Sequence, residues 1–336
     1  EHLEGMSETP RIALLGCGHW GKNLARNFHE LGALEMVCDP AEAGRAAAQE
    51  IAPGVSTSPE FDDALQSADL GAVAIATPAE THFELAATAL KAGKDVFVEK
   101  PLALHASEGE ELNRLAAEHG HILMVGHLLE FHPAVLRLRE LIQTCELGNL
   151  NYIYSNRLNF GKVRTQENAL WSFAPHDVAV ILRLFDELPA EVTCTGGSFL
   201  TPDLADVTVS NLRFHSGRRA HIFVSWLNPF KEQKLVVMGE QRMAVFNDVA
   251  EDKLVLYDQH VDMSDATPLL QKNGHQVIPL PGDEPLRREC EHFLECIATR
   301  RAPLTDAESG VRVLRVLEAC QASLQQDGRP VSLNEN

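Results

Sequence analysis

The sequence predicts an α/β Rossmann domain followed by an α+β domain built on an open, mainly antiparallel sheet. Three observations carry that prediction. Between residues 11 and 125, short apolar runs alternate with helical stretches, the pattern of a doubly wound parallel sheet. The first run leads straight into Gly16-Cys17-Gly18-His19-Trp20-Gly21, a glycine loop between a strand and a helix. Beyond about residue 150 the β-like segments crowd together and are less continuously apolar, as in a sheet with one exposed face.

The first half reads as strands at 11–16, 34–38, 71–76, 95–98 and 122–125. Helices are expected over about 20–31, 41–51, 80–92 and 107–119. A further helix fits 131–146, followed by β segments at 151–160, 191–199, 205–214, 219–226, 234–238, 243–247 and 253–257. A helix interrupts them at about 175–185, with Pro175 suited to its first turn. Residues 259–284 read as irregular loop, and amphipathic helices close the chain near 285–298 and 307–325. At 336 residues two domains are expected, divided near residues 126 and 127, with the second running to 333. Residues 1–5, ahead of Met6, read as a tag remnant.

The formal charge of −19 argues against nucleic-acid and anionic-membrane partners. No apolar run approaches the ~18 residues of a membrane span. Seven scattered cysteines without a CxxC read as reduced thiols of a cytoplasmic protein, and no metal-ligand cluster is visible.

The glycine loop has the setting of a dinucleotide cradle. Gly16 permits the turn, Gly18 lets a pyrophosphate approach the backbone, and Gly21 lets the helix pack on the strand. The helix N-terminus would then face the phosphates. Asp39, 23 residues after Gly16 and at the end of the second strand, is placed to accept from the adenosine ribose. It would repel a 2′-phosphate, which favours NAD; with Pro40 behind it, Asp39 also reads as the start of a turn. Thr77-Pro78 ends a strand at the same sheet edge. His82 follows in a helix start, where it could reach the nicotinamide or cap the helix.

Hydride transfer from a secondary alcohol needs a base for the hydroxyl proton. Lys100, after the buried run Val96-Phe97-Val98 and before Pro101, is one candidate, its backbone held extended and its ammonium partly desolvated. His176 is the other, expected at a helix start that favours the neutral ring, with Trp171, Phe173 and Pro175 suggesting a partly enclosed cavity. Arg157, Lys162 and Arg164 gather three positive charges in an acidic chain. They read either as a bidentate grip on a diphosphate or as gatekeeper charges on a β edge. Glu130, His132, Asn159, Glu167 and Asn168 are candidate partners for sugar hydroxyls or an acetamido group.

Taken together, Gly16–Gly21, Asp39, Ala76-Thr77-Pro78, Thr81-His82, Glu99-Lys100-Pro101 and His176-Asp177 resemble the Gfo/Idh/MocA oxidoreductases over nearly the whole chain. The resemblance implies hydride chemistry on a sugar or cyclitol with NAD, and Lys100 and His176 as the catalytic pair. It implies cofactor contacts from the glycine loop (including His19 and Trp20), Asp39, Thr77, Pro78, His82, Glu99, Lys100 and Trp171. It also implies a C-terminal sheet that joins subunits into a homodimer or homotetramer. Two departures stand out: Ser172 occupies a position where many members carry Asp, and Gly126–Pro133 lacks their Asn/Arg pattern. The stretch from Tyr154 to Asp177 is similar to a nucleotide-sugar subgroup that includes UDP-N-acetylglucosamine 3-dehydrogenases. Such enzymes give a 3-keto sugar for transamination in lipid A or polysaccharide assembly. Other family activities stay open: a different sugar or cyclitol dehydrogenase, a redox-assisted glycosidase, or a dinucleotide sensor without turnover.

Overall fold

A computed structural model describes residues 10–264 and 266–333; the residues read as a tag remnant lie outside them. The described residues form two compact units, one of residues 10–131 and 283–314, the other of 132–282 and 315–333 without residue 265.

In the first unit β1 (Ile12–Leu15), α1 (Gly21–Glu30), β2 (Leu34–Cys38) and α2 (Glu42–Ile51) come first. β3 (Ser56–Ser58), α3 (Phe61–Leu65), β4 (Ala72–Ile75), α4 (His82–Lys91), β5 (Asp95–Glu99), α5 (Ala106–His119) and β6 (Leu123–Gly126) follow. The strands pair in parallel in the order β3-β2-β1-β4-β5-β6. The strand order reverses between β1 and β4, from β1-β2-β3 on one side to β4-β5-β6 on the other, and this is the switch point at which such sheets bind ligands. β1 and β4 are buried at every residue, which is why they read as unbroken apolar runs. β3 and α3 have no counterpart in the sequence reading; β3 is the polar triplet Ser-Thr-Ser at the sheet edge, which has neither apolar period.

Helices 131–146 and 175–185 of the sequence reading are α6 (Pro133–Gln143) and α7 (Ala169–Phe185). The second unit opens with α6 and β7 (Leu150–Phe160), continues through α7, and then β8 (Pro189–Gly197), β9 (Val207–Phe214), β10 (Arg219–Ser225) and β11 (Leu227–Gly239). β12 (Met243–Asn247), β13 (Leu254–Asp262) and β14 (Leu269–Val277) complete the run. The sheet order is β14-β13-β12-β11-β7-β10-β9-β8-β15, where β15 is Val331–Ser332. Pairing is antiparallel except between β7 and β10. α7 covers one face at β7, β10 and β9.

Two elements differ from the sequence reading. Residues 259–284 are not all loop, because β13 runs on to Asp262 and pairs with β14. β14 is exposed along nearly its whole length, so it shows no alternation of buried and exposed residues. The second difference is residues 283–314, which fold with the first unit although they follow the second in sequence. α8 (Pro285–Thr299) puts Leu286, Cys290, Phe293 and Cys296 into the core beneath the parallel sheet. Phe28, Phe97 and Phe293 meet there edge to face, with centroids 5.7–6.5 Å apart. Beyond α8, Arg300 grips the Asp95 carboxylate with two bonds of 2.7 and 3.0 Å. Val125 and Thr305 exchange a backbone bond and a hydroxyl bond of 2.8 and 2.7 Å. α9 (Ala307–Leu324) carries the chain from the residues of the first unit into those of the second. Among the described residues no helix is long and apolar enough to cross a membrane, and all seven cysteines are free.

Candidate active site

The glycine loop sits between β1 and α1, at the switch point. Gly16 has φ +88°, and a Cβ there would lie 2.9 Å from the Ala76 carbonyl oxygen. A Cβ on Gly21 would come within 2.2 Å of the Gly16 carbonyl oxygen. Gly18 differs, since its Cβ would meet nothing within 4 Å, and Gly18, His19 and Trp20 form an exposed lip. The first turn of α1 carries no acidic side chain. These features fit a dinucleotide: room over Gly18, and a helix N-terminus without a competing carboxylate.

Asp39 is buried at the end of β2 and is turned toward the loop. Its Oδ2 accepts from Cys17 N at 2.7 Å and its Oδ1 from Ala41 N at 2.8 Å. The carboxylate therefore also serves the turn that the Asp-Pro reading suggested. Each oxygen keeps a further lone pair for a ribose hydroxyl.

Trp20 and Glu99, 79 residues apart in sequence, are joined by a hydrogen bond from the indole N–H to Glu99 Oε1. Glu99 Oε2 accepts from Lys100 N at 3.2 Å. Burial pushes the Glu99 carboxyl up to about 7, against the lowering effects of Trp20 and Lys100. The glycine loop and the Lys100 segment are thus held together through one side chain. Lys100 is half-buried where β5 ends, and its peptide bond to Pro101 is cis.

His82 does not reach toward a cofactor. Its ring is 1 % exposed, with Nδ1 2.7 Å from the Pro101 carbonyl oxygen and Nε2 3.0 Å from that of Thr77. Burial pushes its pKa down, and a neutral ring donates to only one of the two carbonyls. His82 thus lies between the Pro101 segment and the β4 end and donates to one of their two carbonyls. Thr77 Oγ1 lies 2.7 Å from Thr81 Oγ1, so Thr77-Pro78 forms a self-supported turn.

In the second unit, α7 starts six residues earlier than its sequence suggests. Asn168 caps it, accepting from Trp171 N at 3.1 Å, and its Nδ2 donates to Gln321 Oε1 at 2.8 Å. Both ends of the Asn168 amide are committed to the protein, against its expected sugar contact. The Trp171 indole N–H also goes to Gln321, at 3.2 Å. His176 therefore lies inside the helix, after Pro175, and not among free N-terminal amides. Asparagine capping outcompetes the proline as the helix start; an interior proline is unusual, so the sequence pointed to the wrong turn. His176 itself is half-buried.

Arg157 is drawn into a buried ion pair, in place of either a diphosphate grip or an exposed charge on a β edge. Its Nε and Nη2 donate to Asp177 Oδ2 and Oδ1 at 2.7 and 3.1 Å. Of the three cations, Lys162 and Arg164 stay exposed, with Arg164 Nε 3.7 Å from Glu167 Oε1. Asn159 is half-buried near them in sequence. His132 is committed as well: Nδ1 accepts from Ala134 N at 3.0 Å, and Nε2 lies 3.4 Å from Asp248 Oδ1.

Glu289 was missed by sequence reasoning. It lies on the buried stripe of α8 and is 0 % exposed, its two oxygens without hydrogen-bond partners among the described residues. Burial pushes its carboxyl well up, and the charges of Glu99 and buried Glu130 push it further. Its spacing from Leu286 and Phe293 is the one signal that marks it as interior. Among the described residues no His, Cys, Asp and Glu group could hold a metal ion.

Residues 10–127 match the model of the Gfo/Idh/MocA oxidoreductase family with its NAD-binding Rossmann fold. Residues 135–245 match the C-terminal domain of the same family. The chain belongs to the Gfo/Idh/MocA oxidoreductases. NAD is the cofactor of this family's Rossmann domain, and the loop, the free α1 N-terminus and Asp39 fit it. The chain is 28% identical over 321 residues to UDP-N-acetylglucosamine 3-dehydrogenase of Acidithiobacillus ferrooxidans, covering 94% of this chain and 99% of that protein. A solved structure of that enzyme superposes with a TM-score of 0.84 at 26% identity, over 94% and 98% of the two chains. A second relative, 2,7-anhydro-N-acetylneuraminate hydratase of Mediterraneibacter gnavus, is 25% identical over 98% of both chains.

Proposed function

We propose that this oxidoreductase uses NAD to oxidise a hydroxyl of a nucleotide sugar, C3 of UDP-N-acetylglucosamine, giving a 3-keto sugar for later transamination. The observation that carries the substrate is the end-to-end match to a UDP-N-acetylglucosamine 3-dehydrogenase. The exposed cations Lys162 and Arg164 support it, as charges in an acidic chain that suit a diphosphate. Gly16, Gly18 and Gly21 would hold NAD, with Asp39 at its ribose, and the bound nicotinamide would supply the hydride acceptor. His176 takes the hydroxyl proton as general base. Lys100 donates a hydrogen bond to the reacting oxygen and stabilises the charge that grows there. Glu99 holds the Lys100 segment to the glycine loop through Trp20.

NADH absorbance, followed with NAD and a panel of UDP-sugars, tests the reading; a 3-aminotransferase and glutamate are added to pull the equilibrium. NADH appearing with UDP-N-acetylglucosamine alone is the expected result. Signal with a free polyol, and none with any UDP-sugar, would replace the nucleotide sugar with a cyclitol or simple sugar.

A further inference from the structure

The second unit contains a chain of polar contacts that the proposed chemistry leaves unused, and it ends beside His176. Asp177 is 2 % exposed. It receives two bonds from Arg157 and a third from Ser155 Oγ at 2.6 Å. With the Gln233 amide oxygen facing Arg157, that oxygen accepts from Nη1 at 3.2 Å, and Gln233 Nε2 donates to Asp248 Oδ2 at 3.0 Å. Asp248 meets His132 Nε2 at 3.4 Å and Lys253 Nζ at 3.0 Å. Because His132 Nδ1 accepts from Ala134 N, the neutral ring carries its proton on Nε2, pointing at Asp248. The chain thus runs from the start of α6, through the end of β12, β11 and β7, to α7.

A buried ion pair is a poor source of stability, since well-packed apolar residues do as well or better. What it supplies is a fixed geometry, from a planar guanidinium held on both oxygens of one carboxylate. That geometry falls where α7 is weakest. Pro175 has no N–H, so the Trp171 carbonyl loses its helical partner. His176 sits between that missing rung and the pinned Asp177.

We propose that Arg157 is a positioning residue for His176: by clamping Asp177 to β7, it fixes the turn of α7 from which the imidazole projects. The inference rests on the reading of His176 as the base, and its test includes a readout that does not depend on turnover.

The decisive variant is the double substitution Arg157→Met with Asp177→Leu, which removes both charges and leaves neither unpaired. Arg157→Lys, which keeps the charge but loses the bidentate geometry, serves if the double variant fails to fold. Each is compared with the parent by melting temperature, by kcat and KM for NAD, and by the His176 imidazole Cε1–H resonance, assigned with His176→Gln. The expected result is a folded protein with KM for NAD unchanged, kcat lowered on the order of 10²-fold, and a displaced His176 resonance. A folded variant with parental kcat and an unmoved resonance overturns the clamp. A parent that turns over no sugar, together with a resonance that moves in the variant, supports the clamp and refutes the proposed function.

Discussion

A Cβ on Gly18 would enter open space, whereas one on Gly21 would strike the Gly16 carbonyl oxygen at 2.2 Å. Gly18→Ala is therefore expected to keep the parental melting temperature and to weaken NAD binding by a factor of about ten or more, read by calorimetry. Gly21→Ala is expected to cost about 1–3 kcal/mol of stability, as overpacking does, visible in urea unfolding. At the reacting groups, His176→Ala or Lys100→Ala should lower turnover about 10²–10⁴-fold with the fold intact; near-parental rates would remove either residue from the chemistry. The buried acids set a pH dependence. Glu99 titrates at about 7 and Glu289 well above its usual range, so each holds a proton in the native state that the unfolded chain has released. Their contribution to stability is complete below about pH 4.5 and is lost as pH rises, through about 7 for Glu99 and well above the usual carboxylate range for Glu289. Glu289→Gln has nothing to ionise. Its stability relative to the parent should climb in its favour from acid to alkaline pH, and parallel pH profiles would show that Glu289 is already charged in the native state.

Among the elements, α8 is the one whose role is set by something other than its neighbours in sequence. It completes the aromatic core under the parallel sheet with Phe293, and the segment behind it is tied to the sheet by Arg300 on Asp95 and by Thr305 on Val125. Phe293→Ala should cost about 3–5 kcal/mol in chemical unfolding. A fragment ending at Phe131 lacks the helix and is expected to expose ANS-binding apolar surface; a cooperatively folded fragment would show that α8 is dispensable. Helix α7 shows how one residue misplaces a boundary. Proline is favoured in a first turn, so Pro175 marked the start, yet the Asn168 side chain was the cap that the structure uses. In the same way Arg157 read as a surface cation because its partner, Asp177, is 20 residues away. A β strand alternates its faces, but nothing local to β7 says which face a helix will cover.

At the scale of the molecule, apolar side chains stay exposed in the second unit, among them Phe199, Phe230, Leu269 and Leu270. Where such groups join into one patch they mark a surface that pairs, and light scattering is expected to report a dimer or tetramer. Leu269→Asp with Leu270→Asp should shift it toward monomer, and a parent already monomeric would refute the pairing. The sequence by itself determined the parallel sheet, the strand–glycine loop–helix cradle, the acidic residue at the end of β2 and the change to an antiparallel sheet. Each of these is written in local periods or short spacings: continuous apolar runs for buried strands, glycines where no Cβ fits, and a fixed distance along one βαβ unit. Only the tertiary structure decided that α8 belongs with the first unit, that His82, His132 and Asn168 are spent inside the protein, and that Arg157 clamps Asp177. Those outcomes depend on which distant side chain arrives to satisfy a buried polar group, and that pairing is fixed by packing across the fold and not by any window of the chain.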